Sequence, residues 1–284
     1  KAAKIAGLGK ENVIKIPVDD KFSIIPSELE KTIDKDFKNG YRPLCIVAAL
    51  GTTSSTAVDD LTEVGKIANK FGLWVHVDAA FAGTAMLLPE MRHYLEGIEY
   101  VDSYVFNPHK WMFTNFDCSV YFIRDKEALT RTFEIMPEYL KTEVDTQVNN
   151  YRDWGIQLGR RFRALKLWFV IRSFGVEGLR AKIREHIDMA HKLKDLIEAD
   201  PEFEMLAPLN FNTLCFRYNP GDKDESELNV LNSQLLENVN KIGRAFLTHT
   251  KLDGKYTIRF VIGQTNVQWR HVEETWNIIR ATRP

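Results

Sequence analysis

Two spacings of apolar residues alternate along the first half of the chain. Leu44–Leu50 (LCIVAAL) is apolar throughout, which predicts a strand covered on both faces. Leu73–Asp78 (LWVHVD), Val101–Phe106 and Cys118–Arg124 read as further strands, and Val13–Ile16 as a short one. Helical spacing fills the gaps. Pro26 opens a helical stretch over Ser27–Lys38 that Gly40 closes, and a shorter helix is expected around Pro89–Glu96. Asp59 or Asp60 can cap a helix running through Phe71, with Gly72 at its C-terminal end. This β-α-β-α rhythm predicts an α/β fold with a parallel or mostly parallel sheet and helices on both faces.

The pattern changes after residue 134. Residues 134–158 read as a long polar loop, and Arg160–Phe174 and Val176–Ala199 as two helices meeting at Gly175. Strand signals return at Asn212–Tyr218 (NTLCFRY) and Tyr256–Ile262 (YTIRFVI), the latter behind an Asp253-Gly254 turn. Helices at about 225–240 and 268–281 flank them, as expected of a smaller α+β unit. A boundary near 185 then separates a larger unit, 1–185, from a C-terminal one, 186–284. No internal repeat or low-complexity segment is present.

Composition narrows the function classes. The 284 residues are 44% hydrophobic and 27% charged, typical of a water-soluble globular protein. The 38 basic and 39 acidic side chains nearly cancel, so nothing calls for nucleic acid. No apolar run is long enough to span a bilayer, and no signal-peptide pattern opens the chain. Cys45, Cys118 and Cys215 are odd in number and widely spaced; each sits in an apolar run and reads as buried filler in a reducing, cytoplasmic compartment.

Open α/β sheets bind ligands beyond the carboxyl ends of their strands. Three such ends carry reactive residues here. Leu44–Leu50 runs into Gly51-Thr52-Thr53-Ser54-Ser55-Thr56, Leu73–Val77 into Asp78-Ala79-Ala80-Phe81, and Val101–Phe106 into Asn107-Pro108-His109-Lys110-Trp111. Each has an ordinary reading: a solvated loop, a helix cap, a surface lysine. His76, between two valines, reads as a satisfied core histidine. Together, a carboxylate and an amine at neighbouring strand ends suit pyridoxal phosphate, which needs a lysine for its Schiff base and an acid to keep its ring nitrogen protonated. Charge pairing with that nitrogen would hold Asp78 ionised. The histidines lack HExxH spacing and there is no Cys/His cluster, so no metal site is expected. Neither a GxSxG elbow nor a GxGxxG turn after a strand occurs, which disfavours a serine hydrolase and a dinucleotide enzyme.

HVDAAFAG (76–83), NPHKW (107–111), NFDCS (115–119) and GRRFRALKLWFVIRSFGVEGL (159–179) resemble the aromatic-L-amino-acid decarboxylases, a branch of the group II pyridoxal-phosphate decarboxylases. The resemblance covers essentially the whole chain and implies a type I pyridoxal-phosphate (aspartate aminotransferase-like) fold. It implies that Lys110 forms the Schiff base with pyridoxal 5'-phosphate, that Asp78 pairs with the pyridine nitrogen and that Ala80 packs on the ring face. His109 and Asn107 match positions that help hold the phosphate, and Thr53 a threonine close to the cofactor. Leu158 and Gly159 match a stretch that reaches the neighbouring subunit's site, implying a homodimer with shared active sites. MPEYLKTEVDTQVNNYRDW (136–154) matches the family's catalytic loop, in which Tyr139 corresponds to the tyrosine that returns a proton after carbon dioxide leaves.

The family's chains are longer, and Lys1 is expected to fall a few residues after the histidine that stacks on the cofactor ring. The implied reaction is decarboxylation of an aromatic L-amino acid (dopa, tyrosine, tryptophan or phenylalanine type) to the amine. The alternatives are an aromatic acetaldehyde synthase, then a histidine decarboxylase. Glutamate decarboxylation fits GRRFR less well. A non-enzymatic alternative is an inactive fragment serving as a dimerisation module.

Overall fold

The structure is a computed structural model, and it describes residues 1–134 and 148–283. A short N-terminal turn, α1 (Ala2–Ile5), precedes α2 (Pro26–Lys38). The first sheet consists of β1 (Cys45–Ala49), β2 (Trp74–Asp78), β3 (Ser103–Phe106) and β4 (Val120–Ile123), in that order. The first three strands are parallel and β4 is antiparallel, so the sheet is mostly parallel. Between β1 and β2 runs α3 (Leu61–Phe71), which Asp60 caps by accepting from the N–H groups of Thr62 and Glu63. Of the two capping candidates, Asp59 does something else. It is buried and accepts from the Ala49 N–H at 2.6 Å and the Ile24 N–H at 2.8 Å, tying β1 to the incoming chain. Burial pushes its carboxyl above the usual range, against the pull of those two N–H groups.

Three expectations change. Val13–Ile16 forms no strand; the nearest pairing is an isolated bridge between Val18 and Ile24. Pro89–Leu95 is a 3-10 turn, the form common in short connectors. β1 is covered on one face only: Ile46 and Ala48 are buried, while Cys45 and Val47 are exposed. An all-apolar strand carries no alternation to mark its open side. Cys45 is therefore not buried filler, whereas Cys118 and Cys215 are buried, and all three are free.

Beyond β3 come the single-turn α4 (Pro108–Trp111) and, past β4, α5 (Lys126–Phe133). The long α6 (Arg163–Glu198) breaks at Gly175, where φ 64° and ψ 173° are values a side chain would resist. The second sheet is antiparallel, ordered β5 (Phe203–Met205), β6 (Thr213–Tyr218), β8 (Lys255–Val261), β7 (Thr248–Leu252). Helices α7 (Glu225–Lys241) and α8 (Trp269–Thr282) join it, and Asp224 and Glu227 close a reciprocal capping box on α7.

Among the described residues two large apolar cores form, with a small third cluster of Ala207, Cys215 and Leu252. Val64, Val77, Leu50, Trp111, Ile183 and Ile187 lie in the first, and Leu193, Phe216, Leu235, Ile258 and Trp276 in the second. Each fully buried aliphatic side chain contributes about 1.5–3 kcal/mol. α6 thus joins both cores, Ile187 belonging to the first and Met189 to the second.

Candidate active site

Strand register puts the three carboxyl ends side by side. Ala49 pairs with Asp78, and Asp78 with Val105. The Leu50 N–H donates to the Asp78 carbonyl at 3.0 Å, and the Asn107 N–H to the Ala80 carbonyl at 3.0 Å. The segment after Asp78 is therefore bonded directly to the turn that carries Lys110. The Asp78 carboxylate is exposed, and its one hydrogen bond among the described residues is from the Ala80 N–H at 3.0 Å. Lys110 is exposed, and its amine has no hydrogen bond or ion pair among the described residues.

Local bonds shape that turn. Asn107 precedes α4, and its Oδ1 accepts from the Ser119 hydroxyl at 2.7 Å. The His109 ring lies against the Cys118 peptide, Nδ1 being 2.7 Å from the carbonyl oxygen and 3.0 Å from the nitrogen. Phe116 meets the same ring edge-on at 4.8 Å. Trp111 is fully buried, stacked on Phe81 at 5.2 Å, and its Nε1–H donates to His186 Nδ1 at 3.0 Å. Burial pushes the pKa of His186 down to about 4, so it stays neutral and accepts. Trp111 is thus core, and the half-buried Phe81 packs against it.

His76 behaves as the ordinary reading expects. It is half-buried, Nδ1 lies 2.8 Å from the Ser103 hydroxyl, and burial lowers its pKa despite the Asp78 charge. The hydroxyl run 52–56 is mostly not a solvated loop: Ser55 and Thr56 are buried. Thr52 and Ser55 share a hydrogen bond at 3.1 Å, and the Thr56 hydroxyl donates to the Ser55 carbonyl at 2.7 Å. Thr53 is the exposed member, and its hydroxyl has no hydrogen bond among the described residues. Gly51 (φ 85°) passes so close to Ala82 that a Cβ would sit 2.4 Å from the alanine methyl, locking this loop against the segment following Asp78.

Leu158 and Gly159 are exposed on the approach to α6, with no hydrogen bond to the rim residues among the described residues. Tyr139 lies outside the described residues. Sequence reasoning missed the partner of Trp111, and also Asp117, which ion-pairs with Arg161 and, at 3.0 Å, with Arg163. It missed as well the groups that grip Ser54: the Arg259 Nε–H donates to its carbonyl at 3.0 Å and the Thr250 hydroxyl to its hydroxyl at 3.0 Å. These partners lie 196 to 205 residues downstream, where no local pattern points to them.

Known proteins place this rim in context. The pyridoxal-dependent decarboxylase conserved domain matches residues 1–219. "Tyrosine decarboxylase 3" of Petroselinum crispum is 46% identical over 288 residues, covering 99% of this chain and 56% of its own length. "Phenylacetaldehyde synthase" of Petunia hybrida is 42% identical over 291 residues, covering 99% of this chain and 58% of its own length. A crystal structure of Oryza sativa TDC with PLP and tryptamine superposes with a TM-score of 0.96 at 38% identity, over 99% of this chain and 59% of that one. The chain belongs to the pyridoxal-dependent decarboxylase family, and its fold is the type I fold of those enzymes. It spans a little over half the length of the curated relatives it matches.

Proposed function

We propose that the protein to which this chain belongs decarboxylates an aromatic L-amino acid, releasing the aryl-alkylamine and carbon dioxide. The carrying observation is one rim with an unpaired amine, Lys110, and an open carboxylate, Asp78, joined by the Asn107–Ala80 hydrogen bond. This donor set fits pyridoxal 5'-phosphate. That group, when bound, supplies a cationic ring that accepts the electrons left by departing carbon dioxide.

The chain's own residues then have distinct tasks. Lys110 would hold the cofactor through its amine. Asp78 keeps the ring nitrogen protonated, because an anion beside it favours the charged form. Ala80 leaves room against the ring face. Asn107 and His109, immobilised by Ser119 and the Cys118 peptide, orient the phosphate end, and Thr53 offers an exposed hydroxyl on the same rim. Tyr139 returns the proton to the substrate carbon, a role resting on its match to the family's catalytic loop. Leu158 and Gly159 complete the neighbouring subunit's site in a homodimer. The exposed apolar run of Ile156 (80%), Leu158 (68%), Phe162 (74%) and Phe169 (58%) supports that assembly, since so large an apolar surface is costly in water. The division near residue 185 and a cytoplasmic location belong to the same reading. Three free cysteines support that location, and no helix among the described residues is long and apolar enough to cross a membrane.

The second reading is an aromatic acetaldehyde synthase, favoured by the 42% identity to the Petunia hybrida protein. Full-length protein given L-dopa and pyridoxal 5'-phosphate distinguishes them by mass spectrometry. Amine without peroxide is the expected product, and aldehyde with peroxide replaces this reading by the second. Lys110→Ala is expected to abolish turnover of either kind; normal turnover by that variant removes Lys110 from the mechanism.

A further inference from the structure

The loop after β1 has an unusual set of supports. Four side chains of the C-terminal unit converge on its backbone and on one hydroxyl. The Ser54 carbonyl accepts from Arg259 Nε at 3.0 Å and from the Cys215 thiol at 3.2 Å. The Ser54 hydroxyl accepts from Thr250 at 3.0 Å, and the Thr56 carbonyl from Asn210 Nδ2 at 2.9 Å. Arg259 is itself oriented by donating to the Thr248 hydroxyl at 3.0 Å, across the β7–β8 pair. Cys215 is buried on β6. Three of the four come from a regular sheet, whose strands hold their side chains more rigidly than a loop would.

Ser54 adjoins Thr53, the one hydroxyl of the run that is exposed and unpaired among the described residues. Thr53 stands at the end of β1, the strand paired with the one that ends in Asp78. Backbone fixed at Ser54 fixes where Thr53 points.

We propose that Arg259 and Thr250 are positioning residues for the cofactor, setting its affinity by holding Ser54 and thereby Thr53 at the rim. This rests on the functional reading above. The second sheet contributes to cofactor binding without touching the cofactor. Its effect falls on the binding constant, because among the described residues neither side chain bonds Lys110 or Asp78. Losing Arg259 frees the loop to sample other conformations, and binding must then reorder it at a cost in affinity. Chemistry in the loaded enzyme is unchanged once the cofactor is in place.

The test uses the full-length protein stripped of cofactor and titrated with pyridoxal 5'-phosphate, following tryptophan quenching and the visible absorbance of the lysine-bound cofactor. Arg259→Met is expected to weaken binding about tenfold, and Thr250→Val, which keeps the side chain's shape, about threefold. Both keep kcat within about twofold of wild type at saturating cofactor. Arg259→Lys, which restores a charged donor, recovers part of the loss. Arg217→Met is the control, since Arg217 pairs with Glu204 and Glu225 at 2.6 Å inside the C-terminal unit and does not touch the loop. Its binding constant is expected to match wild type even where its melting temperature falls. Wild-type affinity in Thr250→Val and Arg259→Met overturns the proposal, as does an equal loss in Arg217→Met or a fall in kcat with affinity unchanged. If the wild-type protein takes up no cofactor at all, the functional reading falls and this proposal falls with it.

Discussion

The turn at 107–111 and the loop at 51–56 stand at the same end of one sheet, yet their supports come from different parts of the chain. The turn is held mostly by near neighbours: Ser119 on Asn107, the Cys118 peptide on His109, the Ala80 carbonyl on the Asn107 N–H. Its large aromatic anchor is Trp111, sunk into the first core and bonded to His186 on α6. The loop is gripped from the second sheet by Arg259, Thr250 and Cys215, and by Asn210 in the segment before β6. The amine that would bond the cofactor is thus set by the first core, while the Thr53 loop on the same rim is set by the far end of the chain. Damage to the two supports has different consequences: loss of the first lowers stability and displaces Lys110, and loss of the second loosens the loop.

Emptying the first support is the strongest way to break this contrast. Trp111→Ala removes a fully buried ring stacked on Phe81, and is expected to cost about 3–5 kcal/mol in urea unfolding. A cost under about 1 kcal/mol would mean that Trp111 is not the anchor.

A smaller effect lies in His186. Burial lowers its pKa from 6.5 to about 4 in the folded protein, with Glu185 opposing and Lys182 assisting. The unfolded chain therefore binds the proton more readily between those values. This group's stabilising contribution is complete above about 6.5 and is lost as pH falls through about 4. His186→Gln is expected to remove that slope from the difference in stability between variant and wild type, while leaving an acceptor for Trp111. An identical pH slope in both proteins would show that His186 protonates as easily folded as unfolded.

The smallest effect belongs to the loop. Asn210→Ala removes one hydrogen bond to the Thr56 carbonyl and is expected to cost about 1 kcal/mol. Added to Trp111→Ala, its cost is expected to be additive, since the two supports share no side chain. Marked non-additivity in unfolding would show the two supports to be one.

Much of the fold was legible in advance. β1, β2 and β3, the capped α3, the break at Gly175 and the helices α7 and α8 all follow from local periodicity and end signals. The short strands β5 and β7 and the helix α5 went unseen, because brief edge elements carry too few residues to show a period. At the rim, the sequence identified the residue types and their strand-end positions. It could not tell that Ser55 and Thr56 turn inward, since their hydroxyls bond within the loop while the backbone beside them is gripped by residues far along the chain.

Sequence by itself determined the order β1-α3-β2-β3, the strand ends carrying Asp78 and Lys110, and the motifs that match the decarboxylases. These are properties of short stretches, each governed by the spacing of apolar residues and by the conformational limits of Gly, Pro and Asp. Only the tertiary structure decided which face of β1 stays open, that His186 receives the Trp111 N–H, and that Arg259 grips Ser54. Those contacts join residues 75 and 205 positions apart, and such pairs meet only because two sheets and one bent helix bring them together.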